Sequence, residues 1–275
     1  MNITLQQLNA KEFEGNLVFL YGNEVADRVL PFSKKELEYL KSRKENDANS
    51  VVVLDRLPYH TYIVNFDSEK PANLCQEKLR RSAAKVVEML KADKQHEVAV
   101  TGEGVIPEEM VAFVEGLYLA DYTFDRYKTT QPEHITDLYL ESAFLSQEEL
   151  DRNLRLWNRI FWCREWVNLP VADFNAEEFA SELEDISHDL GLKCSVFDKK
   201  QIESLRMGGL TAVNKGSVDE PRFVVIEYAP ENAINEKPVA LVGKGVMYDT
   251  GGLNIKPDDY MQEMKSDMDG AATMA

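Results

Sequence analysis

The stretch "PVALVGKGV", residues 238–246, carries most of the information about the fold. Its first half is a continuous apolar run, and "PRFVVIEYA", residues 221–229, contains a second one. Strands that are apolar at every position suit a mostly parallel sheet covered on both faces. A helical pattern and a shorter apolar stretch precede the two runs, so the sequence predicts an α/β domain over residues 168–275.

The same stretch ends on a glycine and a lysine, a combination that first suggests a phosphate-binding loop. The motif GxxxxGK[ST], aligned on Gly243 and Lys244, requires glycine at position 238 and a hydroxyl residue at position 245. This chain has Pro238 and Gly245 there, so the motif fails at two fixed positions.

Amine and carboxylate groups follow the second run closely. They are Lys244, Asp249, Lys256, Asp258, Asp259, Asp267 and Asp269. Ligands bind at the carboxyl ends of strands in open α/β sheets, and Gly251 with Gly252 allows a tight turn that returns Lys256 to the same place. Carboxylates gathered beside a lysine repel one another unless cations hold them. Spacing alone leaves two interpretations open, a divalent metal site or a solvated acidic loop.

The first half of the chain alternates short apolar runs with amphipathic helical runs, which predicts an N-terminal α/β domain over residues 1–145. The strand candidates are "NLVFLYG", "VVVLDR", "TYIVNFD", "HEVAVTG" and "HITDLYLE". Ser33 is predicted to cap one helix, and Pro107 to begin another. A third helix has one apolar face, formed by Leu79, Ala83, Val86, Val87 and Leu90.

A connecting helix is predicted over residues 146–167, because Ser146 and Glu149 form a capping box at its start. The next helix, residues 176–190, is predicted to end at Gly191, and a short helix, "KKQIESLRMG", is predicted over residues 199–208.

Composition restricts the function classes. With 31 basic and 48 acidic residues, the net charge of -17 repels phosphate backbones and anionic membranes. No apolar run is long enough for a bilayer and no secretory signal is visible, so we expect a cytoplasmic protein. The three cysteines are far apart and are expected to be buried free thiols. The four histidines are scattered, and neither HExxH nor GxSxG occurs.

Several segments together resemble one known family. "LVGKGVMYDTGGLNIKP", residues 241–257, with "MKSDMDGAA", residues 264–272, resembles the signature region of the leucyl aminopeptidase (cytosol aminopeptidase) family, which are dinuclear metallopeptidases. Three further segments resemble family landmarks in the family's order: "EGLYLADYTFDRYK", "VNLPVADFNAEEFA" and "MGGLTAVNKGSVDEPRFVVIEY". The resemblance extends over residues 107–275.

The resemblance implies roles for single residues. By their positions in the motif, Lys244, Asp249 and Asp267 correspond to metal ligands, with Asp249 shared by two ions, and Lys256 corresponds to the catalytic lysine. Asp269 stands where the family usually has glycine. The implied cofactors are two divalent metal ions, zinc, manganese or magnesium, and no other cofactor-binding residue is implied.

The resemblance also implies a metal-dependent aminopeptidase that releases N-terminal residues, leucine-like ones preferred, from peptides with a free N-terminus. Family members are typically cytoplasmic hexamers. They continue into a segment resembling "NTDAEGR", which brings an aspartate, a glutamate and an arginine to the site. "GAATMA", residues 270–275, is typical of the first turn of a helix. We therefore expect the chain to stop inside the catalytic domain and to be inactive alone.

Two alternatives of another class remain. One is a binding module whose first domain contacts DNA, against which the acidic balance argues. The other is a degenerate family member that serves only as an oligomerisation partner.

Overall fold

The structure is a computed structural model that describes residues 1–22, 31–46, 51–66 and 71–275. It divides into two compact units, Met1–Asn158 and Arg159–Ala275. The described strands are β1 (Asn2–Gln6), β2 (Leu17–Tyr21), β3 (Val51–Asp55), β4 (His60–Asn65), β5 (Glu97–Glu103), β6 (Asp137–Glu141), β7 (Lys193–Phe197) and β8 (Phe223–Glu227). The described α-helices are α1 (Lys34–Asn46), α2 (Ala72–Ala92), α3 (Pro107–Ala120), α4 (Gln147–Asn168), α5 (Ala176–Asp189), α6 (Lys199–Ser204), α7 (Gly208–Asn214), α8 (Asp258–Met261) and α9 (Asp269–Met274).

The first unit is built on a six-stranded sheet in the order β1-β6-β5-β2-β4-β3. All neighbouring strands run parallel except β3 and β4, which pair antiparallel. The predicted α/β class is therefore confirmed. β1 was not among the predicted strands, because "NITLQ" alternates polar and apolar residues over only five positions at the edge of the sheet.

Helices α2 and α3 pack against each other in this unit. The predicted apolar face of α2 is buried along its whole length. The two helices approach so closely at Gly116 that a Cβ there would lie 2.6 Å from the backbone of Arg80. Only glycine fits such a contact without a shift of one helix.

The predicted helix starts are confirmed by hydrogen bonds. The Ser33 N–H donates to the Glu36 carboxylate at 2.7 Å, and the Glu36 N–H donates back to the Ser33 hydroxyl. Ser146 and Glu149 form the same reciprocal pair at the start of α4. Pro107 is the first residue of α3.

The second unit contains a two-stranded antiparallel sheet, β7 with β8, preceded by α5. Helix α5 ends as predicted, because Gly191 has a φ of +66° and its N–H donates to the His188 carbonyl. The indole of Trp166 stacks on Phe174 and contacts Phe179, which fixes the end of α4 against the start of α5.

One strand prediction for this unit is wrong. Residues 238–246 form no strand, and the mostly parallel sheet of the molecule lies in the first unit. A strand needs a hydrogen-bonded neighbouring strand, and none of the described strands pairs with this run.

The predicted helix over residues 199–208 is also interrupted, because Arg206 has a φ of +56° between α6 and α7.

The domain limits remain predictions. The division between the two units falls inside α4, the predicted connecting helix. Within the described ranges, no helix combines the length and the apolar character needed to span a membrane.

Candidate metal centre

The four predicted site residues come together within the second unit. Two ion pairs join them: Lys244 Nζ contacts Asp267 Oδ1, and Lys256 Nζ lies 3.0 Å from Asp249 Oδ2. The charge of Lys244 also acts on Asp249, which links the two pairs. Residues spread over 24 positions of sequence therefore form one cluster of two amines and two carboxylates.

Lys244 is positioned by close backbone contact with α9. Its carbonyl accepts a hydrogen bond of 2.9 Å from the Ala271 N–H. A Cβ at Gly243 would lie 2.5 Å from the Gly270 carbonyl oxygen, so only glycine allows this approach. The contact brings Lys244 next to Asp267, two residues before α9.

Lys256 is returned to the site by the predicted glycine turn. Gly251 has a φ of +87°, and a Cβ there would lie 2.4 Å from the Asn254 carbonyl oxygen. The Lys256 N–H donates to the Thr250 carbonyl at 2.9 Å, which closes the turn. The turn therefore places the Lys256 ammonium against Asp249, as predicted.

Asp249 is held in its ionised form. The Gly251 N–H donates to Asp249 Oδ1 at 2.9 Å, and this bond is the largest cause that lowers the pKa of the carboxyl group. The hydrogen bond from Lys256 and the charges of Lys256 and Lys244 lower that pKa further. An ionised carboxylate at neutral pH is the form that binds a divalent cation.

One carboxylate oxygen of Asp267 has no hydrogen-bond partner among the described residues. Its side chain is 19% exposed, and Oδ1 is paired with Lys244. Oδ2 is buried and has no hydrogen-bond partner among the described residues. A buried carboxylate oxygen without a partner is costly, and a bound cation removes that cost. The donor set therefore fits a hard divalent metal ion.

Met264 is a neighbour of the site that sequence reasoning missed. Its Sδ lies 3.0 Å from Lys256 Nζ, and its carbonyl accepts from the Asp267 N–H. The short 3-10 turn over residues 262–266 brings these contacts about. The one signal in the sequence is the spacing of three residues between Met264 and Asp267.

The remaining carboxylates of the segment lie outside the cluster. Asp258 and Asp259 are exposed in the first turn of α8, and Asp269 is exposed at the start of α9. Asp269 is not among the described residues with positive φ, so the backbone there does not require glycine.

Histidines and cysteines take no part in the cluster. The histidines pair with carboxylates elsewhere: His60 with Asp55 and Asp93, His96 with Glu133, His134 with Asp121, and His188 with Asp189. No disulfide joins the cysteines, and Cys75 is buried as expected, but Cys163 and Cys194 are partly exposed. Over the described ranges, no three His, Cys, Asp or Glu side chains gather as a metal site, so the candidate centre depends on its lysines.

Family models match both parts of the chain. The model of the cytosol aminopeptidase family, catalytic domain, matches residues 161–275. The model of the cytosol aminopeptidase family, N-terminal domain, matches residues 69–131. All four residues of the candidate metal centre lie in the range of the catalytic model.

Curated relatives carry the same family description. A probable cytosol aminopeptidase of Aquifex aeolicus is 34% identical over 87% of this chain and 48% of its own length. One of Sulfurihydrogenibium sp. is 31% identical over 96% of this chain and 53% of its own length. The chain thus spans about half the length of the curated relatives that it matches.

Solved structures share the fold. A mutant of tomato leucine aminopeptidase aligns over 99% of this chain and 57% of its own, with a TM-score of 0.76 and 18% identity. The bottromycin maturation enzyme BotP in complex with Mn aligns over 94% of this chain and 54% of its own, with a TM-score of 0.70 and 24% identity. The two domain models, the relatives and the shared fold agree, and the chain belongs to the cytosol aminopeptidase family.

Proposed function

We propose that this chain contributes metal ligands and the catalytic lysine to a metal-dependent aminopeptidase that releases N-terminal residues from peptides. The observation that carries the proposal is the pairing of Asp267 and Asp249 with two lysines, with Asp267 Oδ2 buried and free to bind a cation. Family membership supports the same reading.

Three residues would hold the metal ions. Asp249, oriented by the Gly251 N–H, would be one ligand, and the family resemblance implies that two ions share it. Asp267 offers its unpartnered Oδ2 to one of them. Lys244 would bind as the neutral amine, in place of its present contact with Asp267.

Bound divalent cations would supply Lewis acidity and lower the pKa of a water that attacks the peptide carbonyl. Lys256 would place its ammonium where negative charge develops on the carbonyl oxygen. Its contacts with Asp249 and Met264 fix the ammonium at the site before substrate binds.

The substrate class follows from the same centre. A free α-amine is a further metal ligand that only the first residue of a peptide offers, so the site favours exopeptidase action. The leucine-like preference, the use of zinc, manganese or magnesium, the hexameric assembly and the cytoplasmic location belong to this proposal through the family resemblance. The 275-residue chain alone is proposed to be inactive, because the family's remaining ligands lie in a segment that it does not contain.

Hydrolysis of leucine p-nitroanilide with added Mn²⁺ tests the proposal. Three proteins are compared: this chain, a chimaera that joins it to the unmatched second part of the Aquifex aeolicus relative, and the Lys256→Ala form of the chimaera. We expect activity only in the chimaera, and a loss of about 100-fold or more with Lys256→Ala. A folded chimaera that binds Mn²⁺ and hydrolyses nothing would contradict the proposal, and activity in this chain alone would contradict its predicted inactivity.

A further inference from the structure

Two neighbouring segments of the second unit carry the candidate metal centre. Residues 244–256, here called the metal loop, contain three of its four residues. Residues 258–267, here called the helical segment, comprise α8, the 3-10 turn and Asp267. Asp267 can share a metal ion with the other ligands only if the helical segment is held against the metal loop. The contacts between the two segments therefore bear on metal binding.

In the described structure, three contacts of polar side chains join the two segments: Lys244 with Asp267, Lys256 with Met264, and Tyr248 with Met261. In the third contact, the Tyr248 hydroxyl donates a hydrogen bond of 3.0 Å to the Met261 carbonyl. Met261 is the last residue of α8 and directly precedes the 3-10 turn. This bond therefore joins the interior of the helical segment to the metal loop.

The other two contacts involve groups that the proposed function uses. Lys244 would leave Asp267 in order to bind a metal ion as the neutral amine. Lys256 would direct its ammonium to the carbonyl oxygen of the substrate. The Tyr248 hydroxyl and the Met261 carbonyl take part in neither step, so their hydrogen bond can persist when both lysines change partners.

The surroundings of Tyr248 suit this bond. Tyr248 is partly buried and directly precedes Asp249, whose carboxylate is held by the Gly251 N–H. A hydrogen bond shielded from water is electrostatically stronger than an exposed one. Tyr260, the other tyrosine of the two segments, is 68% exposed, and its hydroxyl makes no hydrogen bond in the described part of the chain. The two tyrosines therefore differ in whether they join the segments.

We propose that Tyr248 is a positioning residue, whose hydroxyl holds the helical segment in its metal-binding arrangement before a metal ion binds. The apparent dissociation constant of a ligand is its intrinsic value divided by the fraction of molecules already in the competent arrangement. Loss of the hydroxyl lowers that fraction, so the metal binds more weakly although no ligand is removed. The inference rests on the proposed function, which assigns Asp267 to the metal.

The test compares Tyr248→Phe with Tyr260→Phe, each of which removes one tyrosine hydroxyl from this chain. Hydrogen exchange is measured by mass spectrometry in EDTA, and Mn²⁺ affinity by calorimetry. In Tyr248→Phe we expect the amides of the helical segment to exchange about fivefold faster, because one hydrogen bond is lost. Mn²⁺ should bind to this variant about two- to fivefold more weakly. Tyr260→Phe should match the parent in both measurements.

Circular dichroism melts establish that both variants are folded. Unchanged exchange in Tyr248→Phe, or faster exchange with unchanged Mn²⁺ affinity, would overturn the proposal. Faster exchange spread equally over α5 and β7 would also overturn it, because that result indicates a general loss of stability. A parent chain that binds no Mn²⁺ would contradict both this inference and the candidate metal centre. If the chimaera binds Mn²⁺ and shows the Tyr248→Phe effects but hydrolyses nothing, only the proposed function is contradicted.

Discussion

The two carboxylates of the candidate metal centre, Asp249 and Asp267, differ in their surroundings and so in how each would bind a cation. The Gly251 N–H and two lysines lower the pKa of the Asp249 carboxyl group, and this side chain is partly exposed. Asp267 is mostly buried, and one of its oxygens has no partner among the described residues. A cation at the site would therefore relieve a cost at Asp267 and find a ready ligand at Asp249.

Replacing Asp267 tests whether its carboxylate holds the metal ion. In the Asp267→Asn variant, the amide removes the negative charge while keeping the shape, and we expect Mn²⁺ affinity to fall by about 10- to 100-fold. The Asp269→Asn variant removes a carboxylate two residues away that is exposed and unpaired in the described structure, and should change the affinity by less than about twofold. Calorimetric titration of both variants with Mn²⁺ measures the difference. Equal losses would mean that general negative charge, and not Asp267, holds the metal.

A buried tyrosine of the first unit leads to a second prediction. Tyr62 on β4 is 1% exposed, and its hydroxyl has no hydrogen-bond partner in the described part of the chain. Burial, with a smaller effect of the charge of Asp93, raises the pKa of Tyr62 to about 12. In the unfolded chain the pKa is close to 10. The folded state therefore keeps a proton that the unfolded state loses between pH 10 and 12.

The sign of the pH dependence follows from this shift. Below pH 10 the hydroxyl is neutral in both states, whereas between pH 10 and 12 the unfolded state ionises first, which lowers the stability of the folded state by about 1 kcal/mol at pH 11. Tyr62→Phe should not show this loss, and at pH 8 it should be as stable as the parent or about 1 kcal/mol more stable. Urea unfolding from pH 8 to 11 measures both effects, with the surface substitution Tyr39→Phe as control. A parallel pH dependence in Tyr62→Phe and the parent would contradict the assignment.

At the scale of elements, the glycine turn after Asp249 controls the geometry of the site. Gly251 and Gly252 both have positive φ, of +87° and +69°, but a Cβ meets other atoms only at Gly251. We expect Gly251→Ala to cost about 1–3 kcal/mol and to displace Lys256, whereas Gly252→Ala should cost about 1 kcal/mol and leave the site in place. Unfolding free energy and Mn²⁺ affinity are measured for both variants. A Gly251→Ala protein that binds Mn²⁺ like the parent would show that the turn is not what positions the site.

Elements whose signals are local were predicted correctly. The capping pairs at Ser33 and Ser146, the proline at the start of α3 and the glycine after α5 are each decided by neighbouring residues. The strand predicted over residues 238–246 is wrong, because an apolar run becomes a strand only when a neighbouring strand supplies hydrogen bonds. The helix predicted over residues 199–208 is wrong for another reason, because the backbone breaks at Arg206, which adopts a positive φ. Arg206 is neither glycine nor proline, so its residue type does not predict a break there.

The same distinction applies to the candidate centre. The glycine turn and the return of Lys256 follow from local sequence, and both are present. The pairing of Lys244 with Asp267 spans 23 residues and depends on the contact of Gly243 with α9, which local patterns do not reveal. The contact of Met264 with Lys256 also depends on the tertiary path. The roles assigned to Lys244, Asp249, Lys256 and Asp267 therefore remain proposals that rest on resemblance and on this geometry.

At the scale of the whole molecule, the distribution of charge bears on possible partners. The sequence carries a net charge of -17, so a negatively charged polymer is repelled at long range. The acidic balance therefore argues against the DNA-binding alternative.

The location of the centre leads to a prediction for the two units. All four site residues lie in Arg159–Ala275, so a bound metal should stabilise that unit. At a Mn²⁺ concentration of about 100 times the dissociation constant, the stabilisation is about 2.7 kcal/mol, and exchange through unfolding of this unit should slow by about 100-fold. Hydrogen exchange measured by mass spectrometry, with Mn²⁺ or with EDTA, should show this slowing in α5 and β7 and no change in β2 or β5. The Asp267→Asn variant should lose the effect. Equal slowing in both units, or slowing confined to Met1–Asn158, would place the metal outside the candidate centre.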